Sequence, residues 1–118
     1  MDKDKKKQLR NDYLAKKPTM GVFMYRCNPT GKVYLGYDQN LEGTFNGLAF
    51  QLNIGSYLPN SRLQNDWEKY GENNFTIETL EILSYDKEHP EKTNYKDDLQ
   101  ILRELWSEKF ENVENIKK

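Results

Sequence analysis

Between Tyr37 and Gln51 the sequence gathers neutral hydrogen-bonding groups and one stacking ring, namely Tyr37, Asn40, Asn46 and Gln51, around Gly43 and Gly47. Such a set suits a base or nucleotide better than naked phosphate charge, because amides read polar edges and rings stack. No Lys or Arg occurs between Lys32 and Arg62, so this stretch offers no cation to an anion. The two glycines lie four apart on one helical face, where missing side chains allow close approach by a ligand or by another backbone. Both uses stand open. Other reactive types are sparse. Cys27 is the one cysteine, which leaves no internal disulfide or Cys-based metal site, and its apolar setting reads as a small buried hydrophobe. His89 precedes Pro90 in a polar loop and reads as solvent-exposed.

The elements that must carry these residues follow from periodicity. Met20 to Asn28 is rich in β-branched and aromatic residues, Pro29-Thr30-Gly31-Lys32 supplies turn geometry, and Val33 to Tyr37 returns, which predicts a β-hairpin. Leu41, Phe45, Leu48 and Leu52 recur at helical spacing behind Asp38 or Asn40 as cap, although each glycine costs up to about 1 kcal/mol in a helix interior. Leu63, Trp67 and Tyr70 align on a second helix that stops at Gly71, a usual αL terminator. Phe75 to Ile82 alternates as a third strand, and residues 85–94 form a polar connection. A last helix places Leu99, Leu102, Leu105 or Trp106, and Phe110 against the core. The expected architecture is one small α/β (α+β) domain over residues 18–118. Its order is β-β-α-α-β-α, with a short three-stranded antiparallel sheet flanked by helices.

Charge is uneven. Residues 1–17 hold seven basic and three acidic side chains, a net of +4, and the remainder carries −5. A folded body with that balance repels a phosphate backbone, so nucleic acid finds attraction only in the basic arm, which otherwise reads as a frayed, solvated helix. A composition of 36% hydrophobic and 13% aromatic residues is that of a globular domain. The charged N-terminus and the lack of any long apolar run predict a protein without membrane contact, in the cytoplasm.

Gly21-Val22-Phe23, then Gly31-Lys32-Val33 and Tyr34-Leu35-Gly36, followed by Ser61 to Gly71, Phe75 and Leu80-Glu81, together resemble the GIY-YIG nuclease family in its homing-endonuclease-like branch. The resemblance runs from about Gly21 to Phe110. It implies a phosphodiester-cleaving site: a tyrosine in each hairpin motif, an arginine and often a histidine on the next helix, a glutamate on the last helix to hold a divalent metal, and a late asparagine. Those roles answer to a base, a cation on the developing phosphorane charge and a metal carboxylate. Residue by residue the match is degenerate. Phe23 stands for the first tyrosine and Tyr34 keeps the second. Thr44 replaces the arginine, Leu48 the histidine, and Arg103 falls on the glutamate, with Glu104 one residue away and rotated by about 100°. The asparagine has no counterpart that can be placed.

The resemblance and its losses therefore predict a non-catalytic protein without cofactor. It would hold a nucleotide-like ligand or a protein partner through Phe23, Tyr34, Tyr37, Asn40, Gly43, Thr44, Asn46, Gly47 and Arg62. Because the branch is common in phages and mobile elements, a disarmed copy acting as an inhibitor or sequestering factor against host defence, in host cytoplasm, is the implied setting. Two alternatives are kept. One is an active Mg-dependent endonuclease with Tyr34 as base, Glu104 as metal ligand, and Arg26, Lys32 or Arg62 supplying charge. The other is a DNA-binding module without cleavage, held by the arm.

Overall fold

The computed structural model describes residues 17–57 and 60–116. Strands β1 (Met20–Cys27) and β2 (Lys32–Asp38) form the expected hairpin, turned at Gly31 with φ 74°, where the Gly31 amide donates to the Cys27 carbonyl at 2.8 Å. A positive φ of this size favours glycine, because a Cβ would crowd its own carbonyl. Helices α1 (Leu41–Ile54) and α2 (Ser61–Tyr70) follow, then a 3₁₀ turn (Glu72–Asn74), β3 (Phe75–Leu83), α3 (Lys96–Ser107) and β4 (Val113–Asn115).

The sheet has four strands in the order β3-β1-β2-β4, and it is mixed: β4 runs parallel to β2, with Val33 opposite Val113 and Leu35 opposite Asn115. This corrects the three-stranded antiparallel expectation. A three-residue strand spelled Val-Glu-Asn has too few alternations to be read locally. It forms because the outer edge of β2 carries donors and acceptors in need of partners. Val33 N–H donates to Asn112 O at 2.9 Å, and Ile116 N–H to Leu35 O at 2.6 Å.

β1 sits between β2 and β3, and it is buried on both faces. Odd-numbered residues Phe23, Tyr25 and Cys27, with Tyr34 from β2, meet Leu41, Leu48, Leu52, Leu63 and Trp67 of α1 and α2. Even-numbered Met24, with Val33 and Leu35, meets Trp106, Phe110 and Val113. Met20 closes the far end with Tyr95 and Leu99. Thus α1 and α2 cover one face and α3 the other. The periodicity of α3 reaches the core as expected: Leu99 is fully buried, Leu102 half-buried, Trp106 packs inward while Leu105 is exposed, and Phe110 joins the same cluster from beyond the helix end.

Caps fix the helix starts. Asn40 accepts from Gly43 N–H and Asn60 from Leu63 N–H, while α1 ends on Gly55 in the αL conformation. Gly71, by contrast, ends α2 with φ 85° and ψ 158°, outside the αL region expected of it. The buried Gln64 is satisfied on both ends, accepting from Tyr57 N–H at 2.9 Å and donating to Leu52 O at 3.0 Å. Cys27 is a buried free thiol and His89 is exposed beside Glu91. Apart from Lys17, whose ammonium lies over the Tyr85 ring at 4.9 Å, the basic arm falls outside the described residues.

Gly36 lies under the Phe23 ring, and an added Cβ would come within 2.4 Å of its Cζ. Gly36→Ala is expected to cost about 1–3 kcal/mol of stability in urea unfolding, partly recovered in combination with Phe23→Leu. A Cβ added at Gly47 would meet nothing within 4 Å beyond its own helix backbone among the described residues. Gly47→Ala should therefore stabilise by up to about 1 kcal/mol, through helix propensity alone.

Candidate functional site

The hairpin register decides where the two aromatic candidates go. Phe23 stands opposite Gly36 and Tyr25 opposite Tyr34, so all four share the face under α1 and α2. The Phe23 ring is 1% exposed and packs edge-on against Phe45 of α1, with centroids 5.2 Å apart. Tyr34 is wholly buried, and its hydroxyl donates to Asp66 Oδ2 of α2 at 2.5 Å. Burial first, then the hydrogen bond to Asp66 and the negative charges of Asp66 and Glu114, push the Tyr34 hydroxyl far above the ordinary tyrosine value of 10.0. A phenol so held keeps its proton at neutral pH and is poorly suited to take one from water.

The cations near Tyr34 are already engaged. Lys32 Nζ stands 5.2 Å from the Tyr34 ring centroid and pairs with Glu114 at 3.1 Å, and Arg62 reaches the same carboxylate at 3.6 Å. Asp66 and Glu114 thus complete a cluster that ties β2, β4 and α2 together. Neither was singled out in the sequence, because each belongs to a polar run and is exposed as a partner only by the chain path.

On α1, Leu48 is a core residue and Thr44 is half-buried. Asn40 is occupied as the N-cap, Gly43 lies against the Asn40 side chain, and Asn46 and Gly47 are exposed. Close packing of a neighbouring helix at Gly47 is not seen among the described residues. The residues expected to form one ligand site are therefore divided: Phe23 and Tyr34 lie in the interior, Asn46 and Gly47 on an open helix face, and Arg62 in an ion pair. Tyr37 lies across the sheet from them, opposite Val22 and with the Met20, Tyr95 and Leu99 cluster.

Tyr37 has a different neighbour. The Arg103 guanidinium stacks over its ring at 4.7 Å, and Arg103 Nη1 donates to Ile116 O at 3.1 Å. Between the end of β2 and the N-terminal half of α3 a cleft of about 610 Å³ opens, lined by Tyr37, Gln39, Asn94, Lys96, Gln100 and Arg103, with Asp38 and Leu99. Arg103 is thus the residue that faces a cleft. Glu104 is exposed and is not part of the lining; its carbonyl accepts from the Ser107 hydroxyl at 2.7 Å. Lys96, Gln100 and Arg103 recur at helical spacing beside Leu99, a polar stripe that the sequence carries next to the apolar one. No group of three or more His, Cys, Asp or Glu side chains fit to hold a metal occurs among the described residues. Among them, too, no helix is long and apolar enough to cross a membrane.

No family model matches the sequence, and neither does any curated protein. Among solved structures the fold is similar to the catalytic domain of the homing endonuclease I-TevI, with a TM-score of 0.64 and 22% identity over 84% of this chain and 99% of that one. It is equally similar to a mutant catalytic domain of the intron endonuclease I-TevI, at a TM-score of 0.63 and 22% identity, covering 84% and 94% of the two chains. The fold resemblance carried by Gly21-Val22-Phe23 and Tyr34-Leu35-Gly36 is therefore met: the chain is a small α+β domain similar to the GIY-YIG domain.

Buried hydroxyls give the protein an alkaline limit. Burial also pushes Tyr25 and Tyr57 up to about 12. A folded value above the unfolded one stabilises fully below the unfolded value, so stability should be level up to about pH 10 and fall from there through pH 12. Urea midpoints measured from pH 8 to 12 check this. Tyr34→Phe leaves Asp66 without its hydroxyl donor and should cost about 1–3 kcal/mol at pH 7.

Proposed function

We propose that this chain is a non-catalytic binding protein built on a GIY-YIG nuclease scaffold. The observation that carries the proposal is the state of Tyr34: the one hairpin-motif tyrosine still present has its hydroxyl in the interior, donating to Asp66, with its proton held far into the alkaline range. The other parts agree. Phe23 has no hydroxyl, Thr44 and Leu48 bring neither charge nor imidazole to α1, and the nearest cations, Lys32 and Arg62, are paired with Glu114.

The residues available to hold a divalent metal do not fit it. The position that resembles the family's glutamate is Arg103, whose charge repels a cation, and the adjacent Glu104 lies outside the cleft on the exposed side of α3. Losing one group that stabilises transition-state charge costs about 10²- to 10³-fold in rate, and here several are missing together. What the scaffold retains is a sheet whose central strand β1 is buried on both faces and a cleft at the end of β2. Binding is the activity these can support.

Supercoiled plasmid and short single- and double-stranded DNA, incubated with the purified chain and Mg²⁺ or Mn²⁺, should remain uncut at high protein concentration. Cleavage that disappears in Tyr34→Phe would overturn the proposal and return Tyr34 to a catalytic role.

A further inference from the structure

We infer that the cleft between β2 and α3 is an anion site for a phosphorylated small molecule of about mononucleotide size, with the phosphate held by Arg103 and Lys96. The inference rests on the binding role just proposed and names the ligand class and the place.

The cleft is rich in donors. Asn94 Oδ1 is taken by Lys96 N–H at 3.0 Å, leaving the Asn94 amide to present N–H groups. Gln39 is spent on both ends, donating to Thr93 O at 2.8 Å and accepting from Tyr95 N–H at 2.9 Å, so it serves as wall. Arg103 uses Nη1 on Ile116 O, while its Nε is buried without a hydrogen-bond partner among the described residues. Lys96 is exposed at the cleft rim. Asp38 brings one negative charge, and one of its oxygens already accepts from Asn40 N–H at 2.8 Å. Two cations against one carboxylate leave the cleft with a positive balance.

Arg103 is also pre-set. Stacking on Tyr37 and the bond to Ile116 O hold the guanidinium in place, so little side-chain freedom is lost when an oxyanion meets its remaining N–H groups. Lys96 lies seven residues earlier on the same helix, two turns away, and adds a point charge. At about 610 Å³ the cleft falls in the range of small-molecule sites and leaves room beyond a phosphate, where the Asn94 and Gln100 amides offer hydrogen bonds to a polar ring.

Titration calorimetry of the full chain at low salt with AMP and, separately, with inorganic phosphate tests the assignment. AMP should bind at one site. Arg103→Gln should weaken it about 10- to 100-fold, as expected for loss of charged hydrogen bonds, and Lys96→Ala should weaken it by a smaller factor. Lys69→Ala, an exposed cation on α2, should change nothing. Tighter binding of AMP than of phosphate assigns the cleft to a nucleotide-sized ligand; equal affinity, still lost in Arg103→Gln, assigns it to the free anion. Circular dichroism confirms that each variant folds, and Lys96→Ala carries the test if Arg103→Gln does not. Absence of binding to both probes, or AMP affinity unchanged in the folded variants, overturns the inference. A chain that neither cuts DNA nor binds AMP keeps the non-catalytic reading and loses this site. A chain that cuts DNA yet binds AMP through Arg103 does the reverse.

Discussion

Because Phe23 faces Gly36 and Tyr25 faces Tyr34, the side on which each hairpin residue stands is settled by one antiparallel register, and a slip by one residue would send every side chain to the opposite face. The rest of the molecule depends on that pairing. It puts Phe23, Tyr25, Cys27 and Tyr34 under α1 and α2, and it puts Met24, Val33, Leu35 and Tyr37 on the side of α3. Gly36 is part of the same constraint, since the Phe23 ring occupies the space a side chain would need.

From this register the division of chemistry follows. Tyr34 goes to the covered face, where the price of burying a phenol is met by the Asp66 carboxylate, and the same packing that satisfies the hydroxyl withholds it from solvent. Arg103 goes to the other face, beside an open cleft. Tyr34 and Arg62 meet on the side of α2, whereas Glu104 is carried by α3, which packs on the other face. Glu114 on β4 gathers Lys32 and Arg62, so charge on the α2 side serves to fasten β4.

The cleft between β2 and α3 is lined by two cations of α3, Lys96 and Arg103, and by the carboxylate of Asp38. With Arg103 there, the local field favours anions; a carboxylate on the same helix face would favour cations. Similarity of fold to a nuclease catalytic domain thus leaves the chemistry of the cleft to be set by its own side chains, in accord with the general rule that function belongs to sites set upon folds.

Much of the architecture was legible in the residues themselves. The hairpin from alternation and the Pro29-Thr30-Gly31 turn, α1 from Leu41, Phe45, Leu48 and Leu52, and α2 from Leu63 and Trp67 all rest on spacings of two to four residues, which the backbone enforces locally. The identities of Phe23, Thr44 and Leu48 are likewise plain in the sequence. What tertiary structure alone decided is which distant groups meet. The Tyr34–Asp66 bond spans 32 residues, Arg103 finds Tyr37 and the Ile116 carbonyl across the fold, and β4 exists because β2 had an edge to fill. No periodicity encodes these contacts. They arise from the path of the chain and the need to pair buried donors and charges once the sheet and helices have closed on one another.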